Sequence, residues 1–160
     1  MIETNSQQKN PLLAFDLGGT KLEVGVVSQN GEILSAHREL LQLELGKDYV
    51  IETMVDWGKK YLEQYPEINA IGISSCGPLD PKKGLLLDAT NLLTNGKGWG
   101  VVPLREIIAT RLKKTTFFDN DAACSVLAER YLGAGRHDNC ENLMVLTLGT
   151  GLGTGIICNG

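Results

Sequence analysis

The chain has 160 residues, of which 42% are hydrophobic and 21% charged, and its formal net charge at pH 7 is -4. This length predicts one well-packed domain, and the composition excludes a disordered or fibrous protein. The negative net charge argues against a nucleic-acid surface, which requires clustered Lys and Arg.

The four cysteines and two histidines are spread along the chain, without a Cys-x-x-Cys pair. We therefore expect reduced thiols, and neither a disulfide framework nor a protein-held metal cluster. The first ten residues are polar and lack the layout of a signal peptide, and no apolar run reaches membrane-spanning length. These features predict a cytoplasmic protein that binds neither membrane nor nucleic acid.

Three antiparallel strands are predicted to open the domain. An apolar run at 11–17 ends at Gly18-Gly19, which is typical of a buried strand entering a tight turn. A run rich in β-branched residues at 22–27 is followed by Asn30-Gly31, a strong hairpin signal. The run 32–43 would then pair back onto the second strand.

Helices and strands alternate along the rest of the chain. Apolar residues at three-to-four spacing predict helices, and short β-branched runs predict strands. The predicted helices are 48–65, 103–112 and 121–132, and the predicted strands are 68–75, 115–118 and the two arms of 142–160. This order predicts an α/β domain with a mixed sheet and helices packed on its faces.

Two glycine-rich turns, each between two predicted strands, are similar in sequence. The first is Asp16-Leu17-Gly18-Gly19-Thr20-Lys21, and the second begins Gly149-Thr150-Gly151. Each is explained either as a structural hairpin or as a phosphate cradle, in which glycines leave backbone N–H groups free for an anion. In the first cradle Thr20 would add a hydroxyl donor, Lys21 a cation, and Asp16 a carboxylate that holds Mg²⁺ through water. The second turn has more glycines than a hairpin needs, which favours a ligand close to its backbone.

Three polar residues, Asp119-Asn120-Asp121, stand where a predicted strand gives way to a predicted helix. One such residue suffices to cap a helix. The carboxyl ends of strands are also the usual ligand crevices of α/β sheets, and a carboxylate there can accept the proton of an attacking hydroxyl. The residue types alone leave a cap and a catalytic group equally open.

Five motifs in this order resemble the ROK family, the bacterial glucokinase-like sugar kinases, which also include sugar-responsive repressors. The motifs are 16–21, 72–80, 90–99, 120–122 and 146–155. The resemblance covers nearly the whole chain from residue 12. It implies an actin-like ATPase (ribonuclease-H-like) fold and an ATP-dependent sugar kinase that uses Mg²⁺. The implied reaction is phosphorylation of a hexose, glucose first, with N-acetylmannosamine, N-acetylglucosamine and fructose as alternatives.

The resemblance also implies roles for individual residues. Asp121 matches the general base, Asn120 matches a sugar ligand, and Gly77 and Asn91 lie in the sugar-contacting loops. Asp119 receives no role. The residues that match the two phosphate-binding turns are Asp16, Gly18, Gly19, Thr20, Lys21, Gly149, Thr150 and Gly151.

The sequence departs from the family pattern in two places. The loop at 93–98 is longer than usual, and the chain ends at Gly160, before the family's zinc site and adenine-binding region. We therefore expect a polar lead-in at 1–11, an actin-like domain at 12–140, and the first hairpin of a second domain at 141–160.

Such a fragment is expected to be weakly active or inactive alone, and the unpaired edges of its last hairpin leave a homodimer open. The family resemblance leaves two alternatives to a kinase, a repressor and a non-catalytic sugar-binding fragment. A repressor needs a helix-turn-helix domain, for which the residues ahead of the first glycine turn are too few. The alternative that the chain binds a sugar without catalysing a reaction is not excluded by the sequence.

Overall fold

The computed structural model describes residues 10–136, 140–148 and 152–160. The helices are α1 (Lys47–Gln64), α2 (Leu104–Leu112) and α3 (Asp121–Tyr131), with 3-10 turns at Leu43–Leu45 and Ala134–Arg136. The strands are β1 (Leu12–Leu17), β2 (Lys21–Val27), β3 (Ile33–Leu40), β4 (Ala70–Ser75), β5 (Leu79–Asp80), β6 (Leu85–Leu87), β7 (Leu93–Thr94), β8 (Lys97–Gly98), β9 (Val101–Val102), β10 (Thr115–Asn120), β11 (Leu143–Leu148) and β12 (Leu152–Ile157).

The main sheet is mixed and has five strands in the order β10-β4-β1-β2-β3. β1, β2 and β3 pair antiparallel, which confirms the predicted opening, whereas β4 is parallel to both β1 and β10. The predicted mixed sheet is therefore confirmed. Within the described ranges, none of the helices is long and apolar enough to cross a membrane.

The hydrophobic core lies on one face of the main sheet. Along β1, Leu13, Phe15 and Leu17 are buried against that face, because side chains alternate along a strand. Helices α1 and α2 cover it, and Val50 and Met54 of α1 are fully buried there. The residues that alternate with the buried ones along each strand project from the opposite face of the sheet.

A row of polar side chains crosses that opposite face. The strand registers place Asp119 beside Ser74, Ser74 beside Asp16, Asp16 beside Glu23, and Glu23 beside Arg38. We call these five residues the polar row. Because each occupies the matching position on its strand, they form one line across the whole sheet, near the carboxyl ends of its parallel strands.

The segment from Cys76 to Pro103, predicted as a long loop, contains five short strands instead. β5, β6 and β9 form a three-stranded sheet, and β7 pairs with β8 in a separate hairpin. The β7–β8 turn is Asn95-Gly96, with φ angles of 51° and 77°. Positive φ at both central residues is typical of a type I′ turn, so the lengthened loop at 93–98 is an ordered hairpin.

The last hairpin, β11–β12, packs against α3 and forms a sheet of its own. A Cβ built on Gly155 would overlap the Ala122 carbonyl oxygen and lie 2.8 Å from Val126 Cβ. The glycines of the motif 146–155 were expected to make room for a ligand. For Gly155, the close approach of α3 is the explanation instead. The boundary proposed at 140/141 stays a prediction.

Candidate functional site

The candidate site lies where the parallel strands of the main sheet end. β1, β4 and β10 run in the same direction, so Asp16, Ser74 and Asn120 reach the same edge. α3 begins there with Asp121. A groove of about 530 Å³ runs along this face of the sheet from Val27 and Ile33 to this edge, where Asp16, Ser74 and Asp121 line it, and most of its other lining residues are apolar. The structure therefore brings Asp16 and Asp121, predicted from motifs 105 positions apart in sequence, onto one groove.

Asn120 is the N-cap of α3. Its Oδ1 accepts hydrogen bonds from the Ala122 N–H at 3.0 Å and the Ala123 N–H at 3.4 Å. Its Nδ2 points toward the loop after β4, since a Cβ built on Gly77 would lie 3.6 Å from that nitrogen. Because Oδ1 is used to cap the helix, Nδ2 is the group of this side chain that can donate a hydrogen bond to a ligand. Gly77 lies next to Nδ2.

The two carboxylates beside Asn120 differ in their hydrogen bonds. Asp119 accepts the Asn120 N–H through Oδ1 at 2.7 Å and so helps to fix the end of β10. Asp121 is exposed, and its Oδ1 accepts the Ala122 N–H at 2.8 Å. Its Oδ2 has no hydrogen-bond partner in the described part of the chain. A carboxylate oxygen without such a partner is chemically able to accept a proton.

Two thiols show that the carboxylates share one region. Burial raises the pKa of the Cys76 thiol to about 11, with further contributions from the charges of Asp121 and Asp16. Burial also raises the pKa of Cys124, and the next contribution comes from Asp119. Because like charge disfavours the thiolate, both shifts report negative charge gathered at this edge of the sheet.

Asp16 is held by a residue that the sequence did not single out. The Ser74 hydroxyl donates to Asp16 Oδ1 at 2.8 Å, across the β1–β4 pair. The two residues are 58 positions apart, and only the strand register brings them together. Carboxylate oxygens are the ligands that Mg²⁺ prefers, so Asp16 fits the metal-holding role predicted for it. Across the described ranges, no group of three or more His, Cys, Asp or Glu forms a metal-ion cluster.

The first glycine turn is closed by a hydrogen bond from the Gly18 N–H to the Lys21 carbonyl oxygen at 3.0 Å. The N–H groups of Gly19 and Thr20 have no partner among the residues described. Two successive free N–H groups are what an anion-binding turn requires. The amide of Gly18, in contrast, belongs to the turn itself.

Space, and not backbone conformation, explains Gly19. β1 and β2 do form a hairpin across this turn, but neither Gly18 nor Gly19 has a positive φ angle, so the explanation of these glycines by left-handed backbone is wrong. A Cβ on Gly19 would lie 2.8 Å from both the Cβ and the carbonyl oxygen of Asn91. The loop that carries Asn91 therefore packs directly on the first glycine turn, which joins a predicted sugar-contacting loop to a predicted phosphate-binding turn.

Lys21, the predicted phosphate-binding cation, is paired with Glu23. Its Nζ lies 2.7 Å from Glu23 Oε1, and Arg38 Nη2 lies 2.7 Å from the same oxygen. Glu23 and Arg38 were not predicted, although the i, i+2 spacing of Lys21 and Glu23 on a strand already placed these two residues on one face. Gly149, Thr150 and Gly151 of the second turn lie outside the described residues, and their role stays a prediction.

Comparison with known proteins gives a consistent family. The ROK family model matches residues 12–160. The chain is 37% identical over 153 residues to a glucokinase of Thermotoga maritima, covering 95% of this chain and 46% of that protein. It is 32% identical over 147 residues to a β-glucoside kinase of Klebsiella pneumoniae, covering 92% and 46%.

A solved structure supports the same relation. A ROK family glucokinase from Streptomyces griseus, in complex with glucose and AMPPNP, matches with a TM-score of 0.74 and 30% identity, covering 94% of this chain and 45% of that one. The chain thus spans about half the length of these relatives. The predicted fold, an actin-like ATPase domain, is confirmed.

Proposed function

The chain belongs to the ROK family, and from this premise we propose that it is the base-bearing N-terminal part of an ATP-dependent sugar kinase. The observation that carries the proposal is that Asp16 and Asp121 line the same groove, where it reaches the carboxyl edge of the sheet. Phosphoryl transfer needs a positioned base at one end of such a site and charge neutralisation at the other.

We place the sugar beside the groove, at Asp121, Asn120 and the loops that carry Gly77 and Asn91, of which Asp121 lines the groove itself. Because Asn120 Oδ1 caps α3, its Nδ2 is the group that donates to a sugar oxygen. Asp121 then accepts the proton of the attacking hydroxyl through the carboxylate oxygen that the helix leaves free. The cap and the base follow each other in sequence, so α3 fixes the position of one relative to the other.

The phosphate end is the first glycine turn. The free N–H groups of Gly19 and Thr20, the Thr20 hydroxyl and Lys21 would hold phosphate oxygens, and Asp16 would hold Mg²⁺ through water. When bound, MgATP supplies the transferred phosphoryl group. In this proposal Gly149, Thr150 and Gly151 hold the phosphates from the other side.

Glucose is the acceptor we expect. Two of the similar proteins are named a glucokinase and a β-glucoside kinase, and a similar structure contains glucose. These names support glucose or a β-glucoside. N-acetylmannosamine, N-acetylglucosamine and fructose stay as alternatives, because the residues of a second domain would share in the choice of sugar.

An ATP-coupled phosphorylation assay tests the proposal. We would join residues 1–160 to the remainder of the Thermotoga maritima glucokinase and offer each of these sugars in turn. Asp121→Asn should lower kcat by about 10²- to 10⁴-fold, the usual contribution of a general base, with a much smaller change in the KM for sugar.

Asp119→Asn is the matched control, since it removes a neighbouring carboxylate but keeps an oxygen for the Asn120 N–H. It should change kcat by less than about tenfold. Turnover of the Asp121→Asn protein within tenfold of the parent would show that the base is another residue. A parent protein that binds sugar but does not phosphorylate it would favour the binding-module function. The 160-residue chain alone is expected to show little or no turnover.

A further inference from the structure

We propose that Glu23 is a counter-ion latch for the first glycine turn, holding Lys21 while the turn is empty and releasing it to an incoming phosphate. Arg38 keeps the Glu23 carboxylate neutralised after Lys21 has left. This inference rests on the proposed function, because it assumes that an anionic ligand binds at the turn. It adds to that function a control on when the lysine becomes available.

The geometry places one carboxylate between two cations. Lys21 and Glu23 lie two residues apart on β2, so their side chains project from the same face of the sheet. Glu23 stands directly opposite Arg38 on β3. Both cationic nitrogens lie 2.7 Å from the same oxygen, Glu23 Oε1.

A carboxylate at this position has an electrostatic cost that the two cations offset. On its other side Glu23 stands directly opposite Asp16, and like charges directly opposite each other destabilise a sheet. The Lys21 hydrogen bond lowers the pKa of Glu23 most; partial burial opposes this, and the charges of Lys21 and Arg38 lower the pKa further. The Ser74 hydroxyl separately satisfies one oxygen of Asp16.

The pair is weak enough to be exchanged. The side chains of Lys21 and Glu23 are 41% and 38% exposed, so water and salt screen their attraction. A polyphosphate carries several negative charges, and its attraction for Lys21 therefore exceeds that of one carboxylate. When Lys21 moves, Glu23 would repel the ligand unless another cation stayed with it, and Arg38 already contacts the same oxygen.

Tripolyphosphate without magnesium is the probe for the first test, and its binding to the 160-residue chain is followed by NMR. Magnesium is left out because an ion held at Asp16 would itself lower the pKa of the neighbouring Glu23. We expect the backbone amides of Gly19 and Thr20 to shift on binding. The pKa of Glu23, followed through its carboxyl carbon, should rise because its largest stabilising partner leaves. It should rise further in the Arg38→Gln protein, in which neither cation remains.

Substitutions test the coupling between the two side chains. Glu23→Gln should tighten tripolyphosphate binding about twofold to fivefold, the range measured for partly exposed ion pairs. Arg38→Gln should weaken it by a similar factor, but should have no effect when Glu23 is already Gln. Glu32→Gln, the same charge change at an exposed site outside the polar row, is the control and should alter affinity less than 1.5-fold by the same screening argument.

Each outcome separates the latch from the proposed function. Arg38→Gln is made with either Glu or Gln at position 23. If it weakens tripolyphosphate binding equally in both proteins, Arg38 acts on the ligand only through its long-range electrostatic attraction, and the latch is wrong. Amide shifts at the turn with an unchanged Glu23 titration would also overturn the latch, while leaving the phosphate-binding turn supported. Absence of any shift at Gly19 and Thr20 would count against the phosphate-binding turn itself, and the latch would fall with it.

Discussion

Replacing Asn120 separates its capping role from its proposed role as a sugar ligand. Asn120→Ala removes both the Oδ1 that caps α3 and the Nδ2 that we assign to the sugar. Asn120→Ser removes the Nδ2 but keeps a side-chain oxygen, and Ser is as good an N-cap as Asn. The two variants should therefore differ in stability and agree in their loss of sugar affinity.

The structure sets the size of the stability difference. Of the two capping bonds, the one from Ala122 at 3.0 Å has ordinary length, whereas the one from Ala123 at 3.4 Å is long and weak. One good capping bond corresponds to about 1 kcal/mol of unfolding free energy, within a range of roughly 0.5–2 kcal/mol. For a chain of this size, 1 kcal/mol lowers Tm by about 2–4 °C. Asn120→Ser should stay within about 0.5 kcal/mol of the parent.

Urea unfolding, monitored by circular dichroism, measures the free energy of unfolding of the parent and of both variants. The proposed sugar-binding role is measured as the affinity for glucose of the protein in which residues 1–160 are joined to the remainder of the Thermotoga maritima glucokinase. Loss of one hydrogen bond to a neutral sugar should weaken this affinity about twofold to tenfold in both variants. If Asn120→Ser is as unstable as Asn120→Ala, the cap is not the source of the stability. If Asn120→Ser binds glucose normally, the Nδ2 is not a sugar ligand.

Two further predictions concern the packing of the last hairpin and a buried thiol. Gly155→Ala should lower the unfolding free energy by about 1–3 kcal/mol, because its Cβ would overlap the Ala122 carbonyl oxygen. Gly72→Ala, where no atom lies within 4 Å of the new Cβ, should be neutral or raise it by up to about 1 kcal/mol, and equal losses in urea unfolding would contradict this. For Cys76, whose pKa rises from 9.0 to about 11 on folding, the folded state retains its proton at higher pH. Its contribution of roughly 2–3 kcal/mol is therefore present below pH 9 and lost as pH rises from 9 to 11. Cys76→Ala should flatten the pH dependence of unfolding in that window, and an unchanged slope would refute the assignment.

Elements with a strong local pattern were predicted from the sequence, and elements that depend on distant partners were not. The β1–β2–β3 meander follows from β-branched runs and the Asn30-Gly31 turn. The short strands between Cys76 and Pro103 are two or three residues long. A run of that length has no measurable period, so only its pairing in the fold defines it.

The same distinction holds for the site. Asp16, Asn120 and Asp121 were chosen as candidates because each stands at the end of an apolar run, where a strand meets a turn or a helix, and their roles stay predictions. Ser74 and Glu23 were missed because their importance comes from strand register, which the hydrophobic pattern fixes only to the correct face. Without the register, nothing in the sequence shows that Ser74 contacts Asp16 or that Glu23 stands opposite it.

In the proposed function, the hydrogen bonds at the start of α3 also bear on where the phosphates bind. Free N–H groups at a helix N-terminus often bind phosphate. Here the Ala122 and Ala123 N–H groups are already taken by Asn120, and Asp121 adds a carboxylate beside them. That terminus is therefore unsuited to a second anion and suited to a neutral sugar. The glycine turn between β1 and β2 has two N–H groups without a partner among the described residues, and a lysine nearby. We therefore propose that the phosphates bind at this turn, so the direction of the bound substrates would follow from which amides the fold has already used.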